Sequence, residues 1–362
     1  MRDDHFRDRR PTFSIIIDSY NQVDFLARAI ESALGQTNQD VEVVVVDDGS
    51  TDGSQQILRA HQDKIRMVLK KNGGQGSALN AGFAASTGRF VSFLDADDLL
   101  DRDFVERALD LLRSTPAPTM VQFRMRVIDA GDQPTGDFVP PRHVAMATGD
   151  MARAVRSWRL ASGFAPTSGL AFPRYVLQQL FPLPEAILQY GGDFPLVRGA
   201  ALLGPIVSAD RPVVSYRSHA HNNSNGSSLN LAKLRRSMIR QVQCFEYLSQ
   251  IAELHGRGQV QDPLQSRDPV FLSQRIASLR ADPVGHPFST DRRLRLVRAG
   301  VVTGLARDDI GVVARIVHAG WFLLMAVLPR RPATTLARLL IRPMSRGSLL
   351  ARALDLLGRA RR

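Results

Sequence analysis

The chain has 362 residues, 44% of them hydrophobic, with a formal net charge of +12. That size and apolar content exclude a disordered chain and allow one large domain with an extension, or two domains. The single cysteine, Cys244, excludes an intramolecular disulfide framework and a multi-cysteine metal site, and fits a reducing compartment. The charge points to a polyanionic partner or surface: nucleic acid, membrane lipid or a diphosphate. Residues 1–10 carry seven charged side chains and no apolar run, so no secretory leader is expected there and a cytoplasmic location is.

Four short apolar runs open the chain: Phe13 to Ile17, 41–46, Ile65 to Leu69 and Phe90 to Leu94. Runs this short and rich in Val and Ile predict buried parallel strands. Helical patterns separate them. Leu26, Ile30, Ala33 and Leu34 share one face, with Asn21 as the expected N-cap and Gly35 as the stop. Ser50, Thr51 and Asp52 offer caps for a second helix through Gln56 to His61, and a third follows Gly76. Strand–helix alternation implies an α/β fold with a mostly parallel sheet and right-handed crossovers. Residues 116–225 are less regular and Pro-rich, with a late strand expected at 212–216. Asn222 to Ser228 is a turn-rich boundary, and the chain beyond it reads as mainly helical. The expected division is therefore 1–115, 116–225 and 226–362.

Three of the four strand patterns are followed by aspartate: Asp18, Asp47 with Asp48, and Asp95. Open α/β sheets bind ligands outside the carboxyl ends of their strands, so these acids should meet in one cleft. Gathered carboxylates repel unless a cation or hydrogen-bond donors hold them. A metal or a polar ligand is expected on that ground alone. In Asp95-Ala96-Asp97-Asp98, one carboxylate can take Mg²⁺ or Mn²⁺ while its neighbour holds ribose hydroxyls; the plainer alternative is a solvated cap cluster. A carboxylate in Asp47-Asp48-Gly49-Ser50-Thr51-Asp52 can accept a base N–H, and the same residues also suit a capping turn. The loop Asn72-Gly73-Gly74-Gln75-Gly76 resembles a phosphate cradle, but its place after the third strand favours a close-approach turn.

Taken together, the segments Ser14 to Asn21, Ala33 to Thr37, Val45 to Asp52, Asn72 to Gly82 and Phe93 to Asp98 resemble the family 2 glycosyltransferases in the family's order. The resemblance implies a GT-A fold, Rossmann-like with a mostly parallel central sheet, and a helical C-terminal extension. It implies an inverting transferase that uses a nucleotide-sugar donor and Mg²⁺ or Mn²⁺. Tyr20 would line the base pocket with Asn21 beside it, Asp48 would bind the base, and Asp95 would reach the ribose. Asp97 would hold the metal, with Asp98 as the alternative and otherwise a donor contact. Asn80, within the fourth segment, falls among the donor-binding positions. Asp18 stands where the family usually has Pro, and would add a contact to the base or ribose. Gly191-Gly192-Asp193 resembles the family's site for the catalytic base, which would be Asp193; the alternative is a helix cap. Tyr216-Arg217-Ser218-His219 resembles a motif whose His completes the metal shell and whose basic residue touches the diphosphate. The acceptor would be a hydroxyl on a glycan or lipid-linked molecule, in cell-surface polysaccharide or glycolipid synthesis.

Ile316–Leu328 is the most apolar stretch, too short to span a bilayer easily. Residues 330–362 carry nine arginines against one acid, Asp355, interleaved with leucines. That pattern predicts a helix lying on an anionic leaflet, placing the chain at the inner face of the cell membrane; a solvated packing helix is the alternative. Few aromatics accompany the arginines, so nucleic acid is not expected as a partner. A sugar-nucleotide nucleotidyltransferase would want a basic, Gly-rich loop where Asp18-Ser19-Tyr20-Asn21 stands. An inactive scaffold would not need both the acid cluster and Asp193.

Overall fold

The computed structural model describes residues 11–142, 144–158, 163–185, 188, 191–219, 231–306 and 311–341. They fall into two compact units. The first comprises 1–155, 161–223 and 247–259, and the second 156–160, 224–246 and 260–362.

The first unit opens with β1 (Phe13–Ser19), α1 (Leu26–Leu34), β2 (Val41–Asp47), α2 (Ser54–Ala60), β3 (Arg66–Leu69), α3 (Gln75–Ala85) and β4 (Phe90–Asp95). Next come β5 (Leu99–Leu100), α4 (Phe104–Ser114), β6 (Met120–Phe123), β7 (Met125–Ile128) and β8 (Pro134–Val139). Then follow α5 (Ala152–Arg156), β9 (Leu170–Pro173), α6 (Arg174–Leu180), α7 (Asp193–Leu203), β10 (Ile206–Ala209) and β11 (Val214–Arg217), while α8 (Leu231–Leu254) belongs to the second unit up to residue 246 and to the first from Tyr247. Seven strands form the central sheet in the order β10-β6-β9-β4-β1-β2-β3. All its pairings are parallel except those of β9, which runs antiparallel to β4 and β6. A smaller sheet, β5-β11-β7-β8, joins residues from both sides of position 116. Because β6, β9 and β10 share one sheet with β1 to β4, the segments 1–115 and 116–225 are interleaved within one unit.

The central strands are apolar on both faces because helices cover both. Ile15, Ile16 and Ile17 of β1 and Val44, Val45 and Val46 of β2 are wholly buried. One cluster packs Phe13, Ile15 and Ile17 against Leu26, Ala29 and Ile30 of α1 and Phe104 of α4. The other face of β1 receives α3, and the contact is made by Gly82. A Cβ there would stand 2.3 Å from Ile16 Cγ2 and 3.1 Å from Val46 Cγ2.

The first helix begins later than the sequence predicts. α1 starts at Leu26 with Phe25 at the N-cap position and no side-chain cap. Asn21 does not cap it. With φ of 52°, Asn21 accepts from Thr51 N at 2.8 Å, and its own N–H donates to Ser50 Oγ at 2.9 Å. The two loops after β1 and β2 are thereby fastened together. Asp52 does act at a helix start, accepting from Ser54 N at 3.0 Å.

The second unit holds the helices α9 (Pro269–Ala281), α10 (Arg293–Leu305), α11 (Val312–Val327) and α12 (Arg330–Ile341). Asp268 caps α9 by accepting from Phe271 N at 2.6 Å, with Pro269 in the first turn. The core joins Leu272 and Ile276, Leu296 and Val297, Trp321, Phe322 and Met325, and Ala333 and Ala337. Buried Asp291 is held by the Arg275 guanidinium at 2.9 Å and by His286 Nε2 at 3.0 Å. Among the described residues, no helix is long and apolar enough to cross a membrane. The arginine-rich segment after residue 341 lies outside the described residues.

Gly82→Ala should overpack the seam between α3 and the sheet and lower stability by about 1–3 kcal/mol. Urea unfolding should show the shift as a lower midpoint at unchanged slope.

Candidate active site

The chain runs β1, β2, β3 in one direction across the sheet, then returns to place β4 on the other side of β1. Strand order therefore reverses between β1 and β4, and a crevice opens beyond their carboxyl ends. Register puts Asp18 of β1 beside Asp95 of β4. Two carboxylates thus face one crevice from neighbouring strands.

After Asp95 the backbone turns sharply, with Asp98 N donating to Asp95 O at 3.0 Å. One carboxylate oxygen from each of Asp95, Asp97 and Asp98 lies within 4.8 Å of the others. Their surroundings separate their roles. Asp98 is buried, accepting from Arg217 N at 2.8 Å and from Ser168 Oγ at 2.6 Å. Burial first, and Asp97 second, push its pKa well above the usual carboxylate range. Asp98 is an anchor for the turn, whereas Asp97 keeps 13% of its side-chain surface exposed. His219 Nε2 lies 2.8 Å from Asp97 Oδ2, and its ring sits over Phe25 with centroids 4.7 Å apart. The carboxylates of Asp95, Asp97 and Asp98 gather hard oxygens of the kind that suits Mg²⁺ or Mn²⁺, with His219 hydrogen-bonded to Asp97 beside them.

Arg217 does not reach the crevice as the motif implies. Its side chain is wholly buried. Nε donates to Asp97 O at 2.6 Å and Nη1 to Asp129 O at 3.1 Å, with an ion pair to Asp132. Its place in the interior makes it a brace for the 97–98 turn and not a diphosphate contact. Asn80 is likewise a fastener. Its amide donates to Leu183 O at 3.0 Å and to Glu185 Oε1 at 2.9 Å, while Oδ1 accepts from Leu183 N at 2.8 Å.

The Gly-rich loop does cradle an anion, but that anion is Asp48. Its carboxylate accepts from Gly73 N at 3.0 Å, Gly74 N at 2.8 Å and Lys70 Nζ at 2.6 Å. Both Asp48 oxygens are thus engaged within the protein. Gly49 is needed here: its φ is 81°, and a Cβ would stand 2.8 Å from Asn72 N. An open depression of about 550 Å³ beside it is lined by Ser50, Gln55, Lys70, Lys71 and Asn72, among others. Tyr20, 46% exposed, and Asn21 stand at the rim after β1.

Asp18 is the unusual member. Its Oδ1 is buried and has no hydrogen-bond partner. Burial foremost, with Asp97 and Asp48 adding, raises its pKa to about 7 despite a hydrogen bond from Gln75. Gln75 is the residue that sequence reasoning passed over. Its Nε2 donates to Asp95 Oδ1 at 3.2 Å, and its Oε1 accepts from Gly191 N at 2.7 Å and Gly192 N at 3.1 Å. One side chain therefore joins the acid cluster to the start of α7. Asp193 is the first residue of α7; its side chain lies outside the described atoms. Glycine at 192 has a steric reason, since a Cβ there would stand 2.5 Å from Leu79 Cδ1. Ser168 donates to Asp98 Oδ2 at 2.6 Å and accepts from Asp95 N at 3.1 Å.

A parallel sheet with carboxylates at its reversal point, closed by an antiparallel strand, defines a GT-A fold. Residues 14–181, just under half of the chain, match the glycosyl transferase family 2 model. An uncharacterized glycosyltransferase of Nostoc sp. is 37% identical over 214 residues, covering 58% of this chain and 66% of the relative. Chondroitin synthase of Escherichia coli is 40% identical over 124 residues, 33% of this chain and 18% of the synthase. The chain thus spans just under two thirds of the first relative and less than a fifth of the second. In fold it is similar to S. aureus TarS 1-349, solved in complex with UDP-GlcNAc, with a TM-score of 0.50. That likeness covers 91% of this chain and 90% of TarS 1-349 at 16% identity.

Gln75→Leu strands the 191 and 192 N–H groups and should lower stability by about 1–3 kcal/mol, read by chemical denaturation, with a matching loss of kcat. Asp18 carries a signature in pH. Its folded pKa is raised, so the native state holds the proton more tightly than the unfolded chain, for which the ordinary value is 3.8. The resulting stabilisation is complete below that value and is lost as pH rises through about 7. Asp18→Asn should therefore raise Tm more at pH 8 than at pH 5, in thermal melts run with EDTA.

Proposed function

We propose that the chain is a metal-dependent, inverting glycosyltransferase acting on a nucleoside-diphosphate sugar. The observation that carries this reading is the meeting of Asp18, Asp95 and Asp97 at the reversal between β1 and β4, within the family segment. Asp97 and His219 hold Mg²⁺ or Mn²⁺, which supplies positive charge to the departing diphosphate. Asp95 accepts from the ribose hydroxyls. Tyr20 and Asn21 flank the base, Asp48 shapes the floor beneath it, and Asp18 adds a contact to base or ribose. Asp193 takes the proton of the acceptor hydroxyl as that oxygen bonds to the anomeric carbon. The bond from that carbon to the diphosphate oxygen breaks on the opposite face, so a single displacement inverts the centre.

A glycan or lipid-linked acceptor, in cell-surface polysaccharide or glycolipid synthesis, is supported by the chondroitin synthase relative. The basic, leucine-rich end supports attachment to an anionic leaflet at the inner face of the cell membrane, with no nucleic-acid partner. A nucleotidyltransferase is disfavoured because the β1–α1 loop offers Asp18 and Tyr20 where a basic glycine loop would be needed.

A panel of UDP-, GDP- and dTDP-sugars, each with and without Mn²⁺, should yield metal-dependent nucleoside diphosphate release with one donor class. Asp193→Asn should still bind that donor and lose about 10²–10⁴-fold in transfer. Transfer near the wild-type rate would remove Asp193 from the role of base.

A further inference from the structure

Apart from Arg315 and His318, the helix α11 is apolar on every side. Ala319, Trp321, Phe322 and Met325 fill the core of the second unit. The opposite side carries Val312, Val313, Ile316, Val317, Leu323, Leu324 and Val327, and these are exposed by 58, 54, 60, 42, 54, 45 and 76%. Their spacing of three and four residues draws one continuous stripe along the 16-residue helix, about 24 Å long at helical rise. The helix is anchored so that this stripe cannot roll inward. A Cβ on Gly300 of α10 would stand 2.2 Å from the Phe322 ring, and one on Gly304 would stand 2.9 Å from His318. α10 itself exposes Leu294, Val302 and Leu305. In water a helix that is hydrophobic all round belongs in an interior. An exposed apolar patch of this extent marks an interaction surface.

The charge around the stripe selects its occupant. The segments Arg293–Leu305, Val312–Val327 and Arg330–Ile341 hold seven arginines and no acidic residue. Apolar residues that insert, on helices that carry only positive charge, complement an anionic lipid surface. A second copy of the same face would bring arginines against arginines with no acid on these helices to offset them. Residues 342–362 carry the same sign of charge, with six arginines against Asp355, and would likewise meet these helices with like charge. The length of α11 suits a helix lying in the headgroup boundary and not one crossing it.

We infer that the exposed stripe of α11, from Val312 to Val327, is the surface by which this protein inserts into an anionic leaflet. This rests on the membrane attachment proposed above and assigns it to α11 in place of the leucines beyond residue 341. The test is flotation of the full chain with vesicles of phosphatidylglycerol and phosphatidylcholine, against phosphatidylcholine alone. One variant carries Ile316→Gln, Leu323→Gln and Leu324→Gln; a second carries Leu349→Gln, Leu350→Gln and Leu354→Gln. All three stripe positions face solvent, so far-UV circular dichroism and Tm should match the wild type. The wild type should float with the anionic vesicles, the stripe variant should bind about a hundredfold more weakly, and the tail variant should bind much as the wild type does. If the stripe variant binds like the wild type while the tail variant does not, the assignment to α11 is wrong and membrane attachment stands. If the wild type ignores anionic vesicles, both are wrong. If the wild type is dimeric without lipid and the stripe variant monomeric, the occupant is a second copy and the lipid assignment is overturned.

Discussion

Like charges crowded at one end of a sheet are the constraint on which the site depends. Asp18 and Asp95 are neighbours because β1 and β4 pair in parallel register. That register is held by close packing on both faces, such as Gly82 of α3 seated against Ile16 and Val46. The hydrophobic core therefore holds the carboxylates together against their repulsion. Each acid then meets a different environment. Asp48 is neutralised by Lys70 and two backbone N–H groups, and Asp98 is buried against Ser168 and the Arg217 N–H. Asp97 has His219, while Asp18 retains a buried oxygen without a partner. Asp48 and Asp98, held by a cation, a hydroxyl and backbone N–H groups, build the walls, and Asp18 keeps a buried oxygen without a hydrogen bond beside them.

The walls are built from elements distant in sequence. Arg217 ends β11 of the smaller sheet and reaches back to the carbonyl of Asp97. Ser168 lies in the turn before β9, the antiparallel strand inserted beside β4. Gln75, at the first turn of α3, links the acid cluster to the glycines that precede Asp193. This link couples the donor side of the proposed reaction to its base. A displacement of about 1 Å between the two sides would cost much of the rate, so a rigid tie between them has a chemical purpose.

Much of this was legible in the sequence because it follows from local pattern. Valine and isoleucine runs marked the first four strands, and aspartates at their ends marked the crevice. The order of five short segments pointed to the family. What was not legible depends on packing. Asn21 has the chemistry of a cap but bridges two loops, since the positions of Ser50 and Thr51 relative to it are set by the sheet. Arg217 reads as a phosphate ligand in its motif, yet β11 carries it into the interior, where carbonyls accept from its Nε and Nη1. Nothing local to Ser168 signals that it supports Asp98. Gln75 sat inside a recognised segment, but its partners Asp95, Gly191 and Gly192 lie 20, 116 and 117 residues away.

The account makes Asp97 and His219 the metal-holding groups and the β1–β4 crevice the donor site. Isothermal titration of nucleoside diphosphate into the intact protein, with Mn²⁺ and then with EDTA, tests this most directly. The account predicts tight binding with Mn²⁺, little with EDTA, and loss of the metal-dependent part in Asp97→Ala. Equal affinity in EDTA, or an unchanged metal response in Asp97→Ala, would contradict it.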